Sequence, residues 1–212
     1  MNLAENFSPL LINLPVIITL IIITRYIIGF KTWRNYTSLA LALSFFFINM
    51  RSDSIILTTI VWLALSVGII GIATITKYLL RKISMNFYSR IAMMYLTAIT
   101  FFYLVAIVIS FIFKTNFFYV QEVIIAGFLI GSTIDDLAIL QFKKSTAEFL
   151  RRMITSVLLG LVGGLLLTWE WWNAFIVNRF EILIVILIVN IVVANWKNLR
   201  LTELLRFKSV TR

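Results

Sequence analysis

Residues 54–82 read SIILTTIVWLALSVGIIGIATITKYLLRK. No charged side chain occurs from Ser54 to Thr76, and then Lys77, Arg81 and Lys82 gather at one end. A helix rises 1.5 Å per residue, so about 20 apolar residues cross the roughly 30 Å hydrocarbon core of a bilayer. This stretch is long enough, and it is apolar on every face rather than along one stripe. A helix of that kind is solvated by protein interior or by lipid. The same pattern recurs along the whole chain, and that repetition decides for lipid.

Seven apolar stretches emerge on working outward: span 1 from Pro9 to Phe30, span 2 from Tyr36 to Met50, span 3 from Ser54 to Leu80 and span 4 from Phe87 to Phe113. Span 5 runs from Phe117 to Ile134, span 6 from Met153 to Trp169 and span 7 from Phe180 to Trp196. Hydrophobic residues make up 61% of the chain and charged ones 13%. A soluble domain is nearer half apolar and a quarter charged. The expected fold class is therefore an all-α integral membrane protein with seven transmembrane helices, forming one polytopic domain over residues 1–212. The start Met1-Asn2-Leu3-Ala4-Glu5 has no basic n-region, so span 1 is expected to be retained rather than cleaved as a signal peptide. Span 2 is short for a crossing and leaves open a tilted, broken or re-entrant segment.

The bases fix an orientation. Arg25 lies near the inner end of span 1 and Lys31 and Arg34 follow it; Lys77, Arg81, Lys82 and Arg90 surround the end of span 3. Lys143, Lys144, Arg151 and Arg152 precede span 6; Lys197, Arg200, Arg206, Lys208 and Arg212 follow span 7. Only Arg51, Lys114 and Arg179 stand at the opposite ends. Positive charge is retained on the cytoplasmic side, so the expectation is an outside N-terminus and a cytoplasmic C-terminus. The same rule accounts for the net charge of +10 without nucleic acid, since no long basic tract lies outside the apolar frame. Trp169, Trp171 and Trp172, with Trp33, Tyr36 and Trp196, stand near span ends, where amphipathic rings meet headgroups. A sugar-stacking platform is the alternative use of the first three.

Chemistry is constrained by what is missing. The chain has no cysteine and no histidine, which removes disulfides, thiolate nucleophiles, imidazole bases and the usual zinc ligands. No cofactor, metal site or catalytic residue is expected. The intramembrane polar candidates are Arg25, Glu122, Asp135 and Asp136. A carboxylate inside a span normally faces a partner or water; Glu122 could equally reach the interface and favour its helix dipole. Asp135 and Asp136 are either a solvated helix end facing Lys143 and Lys144 or a site for a cation or a basic partner. Arg25 either snorkels to headgroups or turns inward to an acid. Glu148 precedes Arg151 and Arg152 by three and four residues, a spacing for helical ion pairs, so residues 143–152 read as an amphipathic cytoplasmic helix leading into span 6. Phosphate headgroups, then a partner protein, are its expected contacts. Gly160, Gly163 and Gly164 form a small face for close helix packing. Asn190 and Asn195 are candidates for bonds between helices, and Asn13 with Pro15 for a bend in span 1. Spans 1–3 and 4–6 share a long–short–long rhythm, which suggests a 3+3 inverted repeat with spans 2 and 5 meeting at the centre.

Several motifs resemble those of a known family: Arg25 with Ile28-Gly29-Phe30-Lys31-Thr32 and Tyr36-Thr37, Lys77 to Lys82 ahead of Arg90, Ile134-Asp135-Asp136 with Glu148, and above all Leu199-Arg200-Leu201-Thr202-Glu203-Leu204-Leu205-Arg206-Phe207. Together they resemble the bacterial seven-transmembrane domain usually fused to an inactive transglutaminase-like domain. A weaker likeness, through the basic stretch before span 4 and the glycine-bearing span 5, reaches the capsule-biosynthesis C subunit of poly-γ-glutamate synthase. Ser38 stands where these families often have proline, and Asp136 where the fused family tends to have arginine. No transglutaminase-like domain is expected within these residues. The resemblance implies a non-catalytic inner-membrane subunit of a poly-γ-glutamate-like polymer system that docks a cytoplasmic ATP-dependent amide ligase. The partner or polymer contacts would then be Arg81, Lys82, Arg90, Lys143, Lys144, Arg151, Arg152 and Arg206. The alternative is a small-solute or ion transporter with Glu122, Asp135 or Asp136 in its path.

Overall fold

In a computed structural model of the protein, the described residues are 3–30, 32, 35–50, 54–80, 83, 86–113, 121–134, 146–177, 179 and 181–195, and they contain helices and no strand. The helices are α1 (Leu3–Ile23), α2 (Asn35–Asn49), α3 (Ile55–Leu80), α4 (Phe87–Phe113), α5 (Gln121–Gly131), α6 (Thr146–Thr168), α7 (Glu170–Val177) and α8 (Glu181–Ala194). Four stretches, Leu10–Ile28, Ile55–Leu80, Tyr88–Val105 and Glu148–Thr168, are each long and apolar enough to cross a membrane. Large apolar side chains face outward along them, including Ile56, Ile75, Leu96 and Ile99. The protein is an all-α membrane protein.

The short span has the most enclosed position. α2 packs against α1, α3, α5 and α6. Thr37, Ser38, Leu41, Ala42, Ser44 and Phe45 are all fully buried. A helix covered by protein on most of its surface needs little lipid-facing apolar area, which for α2 is the partly buried stripe of Leu39, Leu43 and Phe47, so its buried face tolerates serine and threonine.

α6 supplies the closest contact. A Cβ on Gly160 would stand 2.6 Å from Leu41 Cβ, one on Gly163 3.0 Å from Ala42 Cβ, and one on Gly164 2.6 Å from Phe45 Cβ. The glycine face thus serves the close packing read from the sequence. The paired numbers rise together, so α2 and α6 run parallel. Three helices, α3, α4 and α5, lie between them in the chain. α3 and α4 are joined by Thr76 Oγ1 donating to Thr97 Oγ1 at 3.0 Å.

α2 also packs directly on α5, the contact an inverted repeat requires. Exchanging the trios maps α1–α2 onto α4–α5, α1–α6 onto α4–α3 and α2–α6 onto α5–α3, and each of these contacts is present. The counterpart of α2–α3, which is α5–α6, is not among the extensive contacts of the described residues.

Three details refine the sequence reading. First, the amphipathic segment leads into span 6 within a single helix, α6, which runs unbroken from Thr146 to Thr168. Nothing between Glu148 and Ser156 breaks a helix, and the pair Glu148–Arg152 supports it. Second, residues 170–177 form their own helix, α7, whose axis stands at 91° to that of α8. Third, span 1 ends in a π-turn, Thr24–Ile28, closed by Gly29 at φ 89°, a conformation that favours glycine. Gly29 and Phe30 N–H both donate to Thr24 O, at 3.1 and 3.2 Å.

The glycine seam generates a prediction. Gly164→Ala forces a methyl into Phe45 and should lower the stability of purified protein by about 1–3 kcal/mol, the usual cost of overpacking. Gly71→Ala, where a Cβ would meet nothing within 4 Å, should be neutral or gain up to roughly 1 kcal/mol. Thermal unfolding midpoints in one detergent compare the two.

Candidate functional site

The described part of the basic rim sits at the C-terminal end of α3 and the N-terminal ends of α4 and α6. Lys77 occupies the last turn of α3, where a cation complements the helix dipole, and it lies in the field of Arg90. Arg90, in the first turn of α4, donates from Nη2 to the Ile83 carbonyl at 3.2 Å. Arg152 Nη2 donates to Glu148 Oε1 at 2.7 Å, one of the two pairings that the spacing allowed. Arg151 is exposed instead. The structure therefore brings Lys77 near Arg90, and Glu148 onto Arg152. It does not join Arg90 to the two arginines of α6, because α4 packs on α3 and α5 while α6 packs on α1 and α2. Arg81, Lys82, Lys143, Lys144 and Arg206 lie outside the described residues.

The intramembrane candidates divide similarly. Arg25 stands in the π-turn, half-buried. Glu122 belongs to the first turn of α5, but its side chain is outside the described set, as are Asp135 and Asp136. Among the described residues, the fully buried polar side chains are amides and hydroxyls, not charges. In Ser132 and Thr133 the hydroxyls donate back to the carbonyls of Leu129 and Ile130, each at 2.7 Å, so the polar face of α5 satisfies itself.

Trp62 closes the centre. It is fully buried on α3, and its Nε1–H donates to Ser44 Oγ at 2.8 Å and to Leu41 O at 3.1 Å. Its ring meets Phe45 edge-on, with centroids 5.7 Å apart. The signal was present in the sequence: Trp62 stands two turns inside span 3, and an indole N–H buried there must find a partner. On the same bundle, α3, α4 and α5 line an open cleft of about 240 Å³ bounded by Ile69, Tyr95, Phe102, Phe128 and Ile134 among others. An apolar lining of this kind suits a hydrocarbon chain better than a hydrated ion.

At the other end, Asn13 is the organising residue. It is buried in α1, its Nδ2 donates to Asn173 Oδ1 at 2.6 Å, and its Oδ1 accepts from Trp172 Nε1–H at 3.1 Å. Asn173 Nδ2 in turn donates to Leu167 O at 2.8 Å. Asn13 thus clamps α7 to α1 and α6, and Trp172 binds protein rather than headgroups. Asn190 does bond between helices, donating to Thr19 Oγ1 at 2.8 Å. Asn195 does not; it donates to Ile191 O of its own helix.

Among the described residues, the bundle has a buried core of apolar, amide and hydroxyl side chains with bases at the ends of α3, α4 and α6, the pattern of a polytopic membrane domain. The chain belongs to the family described as seven transmembrane helices usually fused to an inactive transglutaminase, whose pattern matches residues 3–211. No curated protein and no solved structure matches it.

The Asn13 clamp is measurable. Asn13→Ala and Asn173→Ala, singly and together, should show a coupling of about 0.5–1.7 kcal/mol in a double-mutant cycle of unfolding, the range of side-chain bonds between membrane helices.

Proposed function

We propose that this chain is the non-catalytic membrane subunit of a bacterial envelope-polymer system, with a product of the poly-γ-glutamate kind. It resides in the inner membrane with its N-terminus outside and its basic rim in the cytoplasm. A cytoplasmic ATP-dependent amide ligase docks on that rim, and the clustered bases raise the local concentration of an acidic nascent chain. The family match over residues 3–211 carries this reading, since the family is one of membrane domains that accompany an inactive enzyme fold. The exposure of Arg151 on α6 supports it by leaving a base open at the inner face. The rim contacts are Arg81, Lys82, Arg90, Lys143, Lys144, Arg151, Arg152 and Arg206.

Replacing Lys143, Lys144, Arg151 and Arg152 by glutamine together should lower polymer output while the amount and orientation of the membrane protein stay the same. Protein level, cysteine-accessibility topology and polymer are measured in the same cells. Output at the parental level would overturn the role of the rim. Purified protein in liposomes tests the rival: ion or solute flux without a ligase would indicate a transporter using Glu122, Asp135 or Asp136.

A further inference from the structure

We propose that α7 is a membrane-surface helix whose outward face, continued by Arg179, seats phospholipid headgroups on the side opposite the basic rim. The helix has two faces. One is pinned through Trp172, Asn173 and the buried Ile176 to α1 and α6. The other carries Trp171, 62% exposed, and Trp169, 55% exposed, stands just before the helix, although both are large and apolar. These rings form a built array: Trp169 and Trp171 lie 5.8 Å apart, and Trp171 stacks on Phe175 at 5.6 Å with planes 15° apart.

Depth is set by the neighbours. The clamp residue Asn13 is two positions from Leu11, which points outward at 65% exposure, and α8 presents Ile184 and Val185 in the same way. The outward face of α7 therefore continues an apolar wall of lipid-facing side chains. Exposed charges, Glu170, Arg179 and Glu181, mark the same short region. A segment in which exposed apolar rings and exposed charges stand together lies at the boundary between hydrocarbon and water, where tryptophan is favoured.

Arg179 supplies the recognition. Its guanidinium carbon stands 5.1 Å from the Phe175 ring centroid. A guanidinium stacked on a ring keeps its N–H edge for a phosphate, which it binds as a fork. The exposed carboxylates Glu170 and Glu181 in the same region oppose anion binding, so recognition rests on the guanidinium fork, with the acyl chains on the adjoining wall. This also gives a use to one of the few bases on that side of the membrane.

The chain has no cysteine, so Ala174→Cys, on the exposed side of α7, gives a single labelling position in the full protein. A nitroxide there, in vesicles of phosphatidylcholine with phosphatidylglycerol, should show comparable access to oxygen and to a water-soluble nickel complex, the signature of headgroup depth. Access to the nickel complex as in free water would overturn the proposal and leave the rings open to a soluble ligand such as a glycan. Access to oxygen alone would overturn it too, by placing α7 in the hydrocarbon. A fluorophore on the same cysteine should be quenched preferentially by brominated phosphatidylglycerol over brominated phosphatidylcholine. Arg179→Gln should reduce that preference by up to about fivefold, the worth of one base near an anionic surface. Arg151→Gln, on the opposite rim, should leave it unchanged. An unaltered preference in Arg179→Gln protein of parental label depth and elution profile would overturn the phosphate assignment.

Discussion

Helices in a bilayer gain nothing by hiding apolar surface from lipid, so this bundle depends on how closely α2 and α6 can approach. Association must come from dispersion contacts and from hydrogen bonds between helices. Gly160, Gly163 and Gly164 remove the side chains that would hold the backbones apart, and Leu41, Ala42 and Phe45 fill the space. Because the pair is parallel, the other helices must wrap around it. α1 closes one side through Ile17 and Ile21, and α3 closes another through Trp62.

Much of this was legible in the chain, for physical reasons. Long uncharged runs such as Ser54 to Thr76 are costly anywhere but lipid or a core, so span number and the all-α class followed from composition and length. The glycines of α6 were readable because their spacing puts them on one face. The role of α2 was not. A short, serine-bearing helix looks weak beside its neighbours when hydropathy is the measure, yet hydropathy reports contact with lipid, and α2 has little. Its centrality depends on which helices surround it, and that is a tertiary fact. The run of the amphipathic segment into span 6 was legible too. Polarity changes at Met153, but helical hydrogen bonding does not stop where the solvent changes.

The candidate site was legible mainly as a set of charges. Their placement was not, because residues close in sequence class are separated by the bundle. Arg90 belongs with Lys77 and the α3–α4 turn, whereas Arg151 and Arg152 belong with α6. Within that last pair the sequence allowed either arginine to bond Glu148. The geometry gives the carboxylate to Arg152 and leaves Arg151 open, so two adjacent, chemically identical residues have different availability. Likewise Asn13, first a candidate for a bend, is a two-way clamp. Its amide both donates and accepts, and only the position of α7 shows that both are used.

The parallel pairing of α2 with α6 also has a meaning in time. During synthesis Leu41 emerges long before Gly160, and at roughly 5–20 residues per second the interval is on the order of ten seconds. For that period the helix at the centre of the finished protein has no α6 to pack on. Its hydroxyl-bearing surface must meanwhile be sheltered by α1 and α3 or by the insertion machinery. The arrival of the glycine face then closes the bundle, so the last third of the chain decides whether an early helix stays in place.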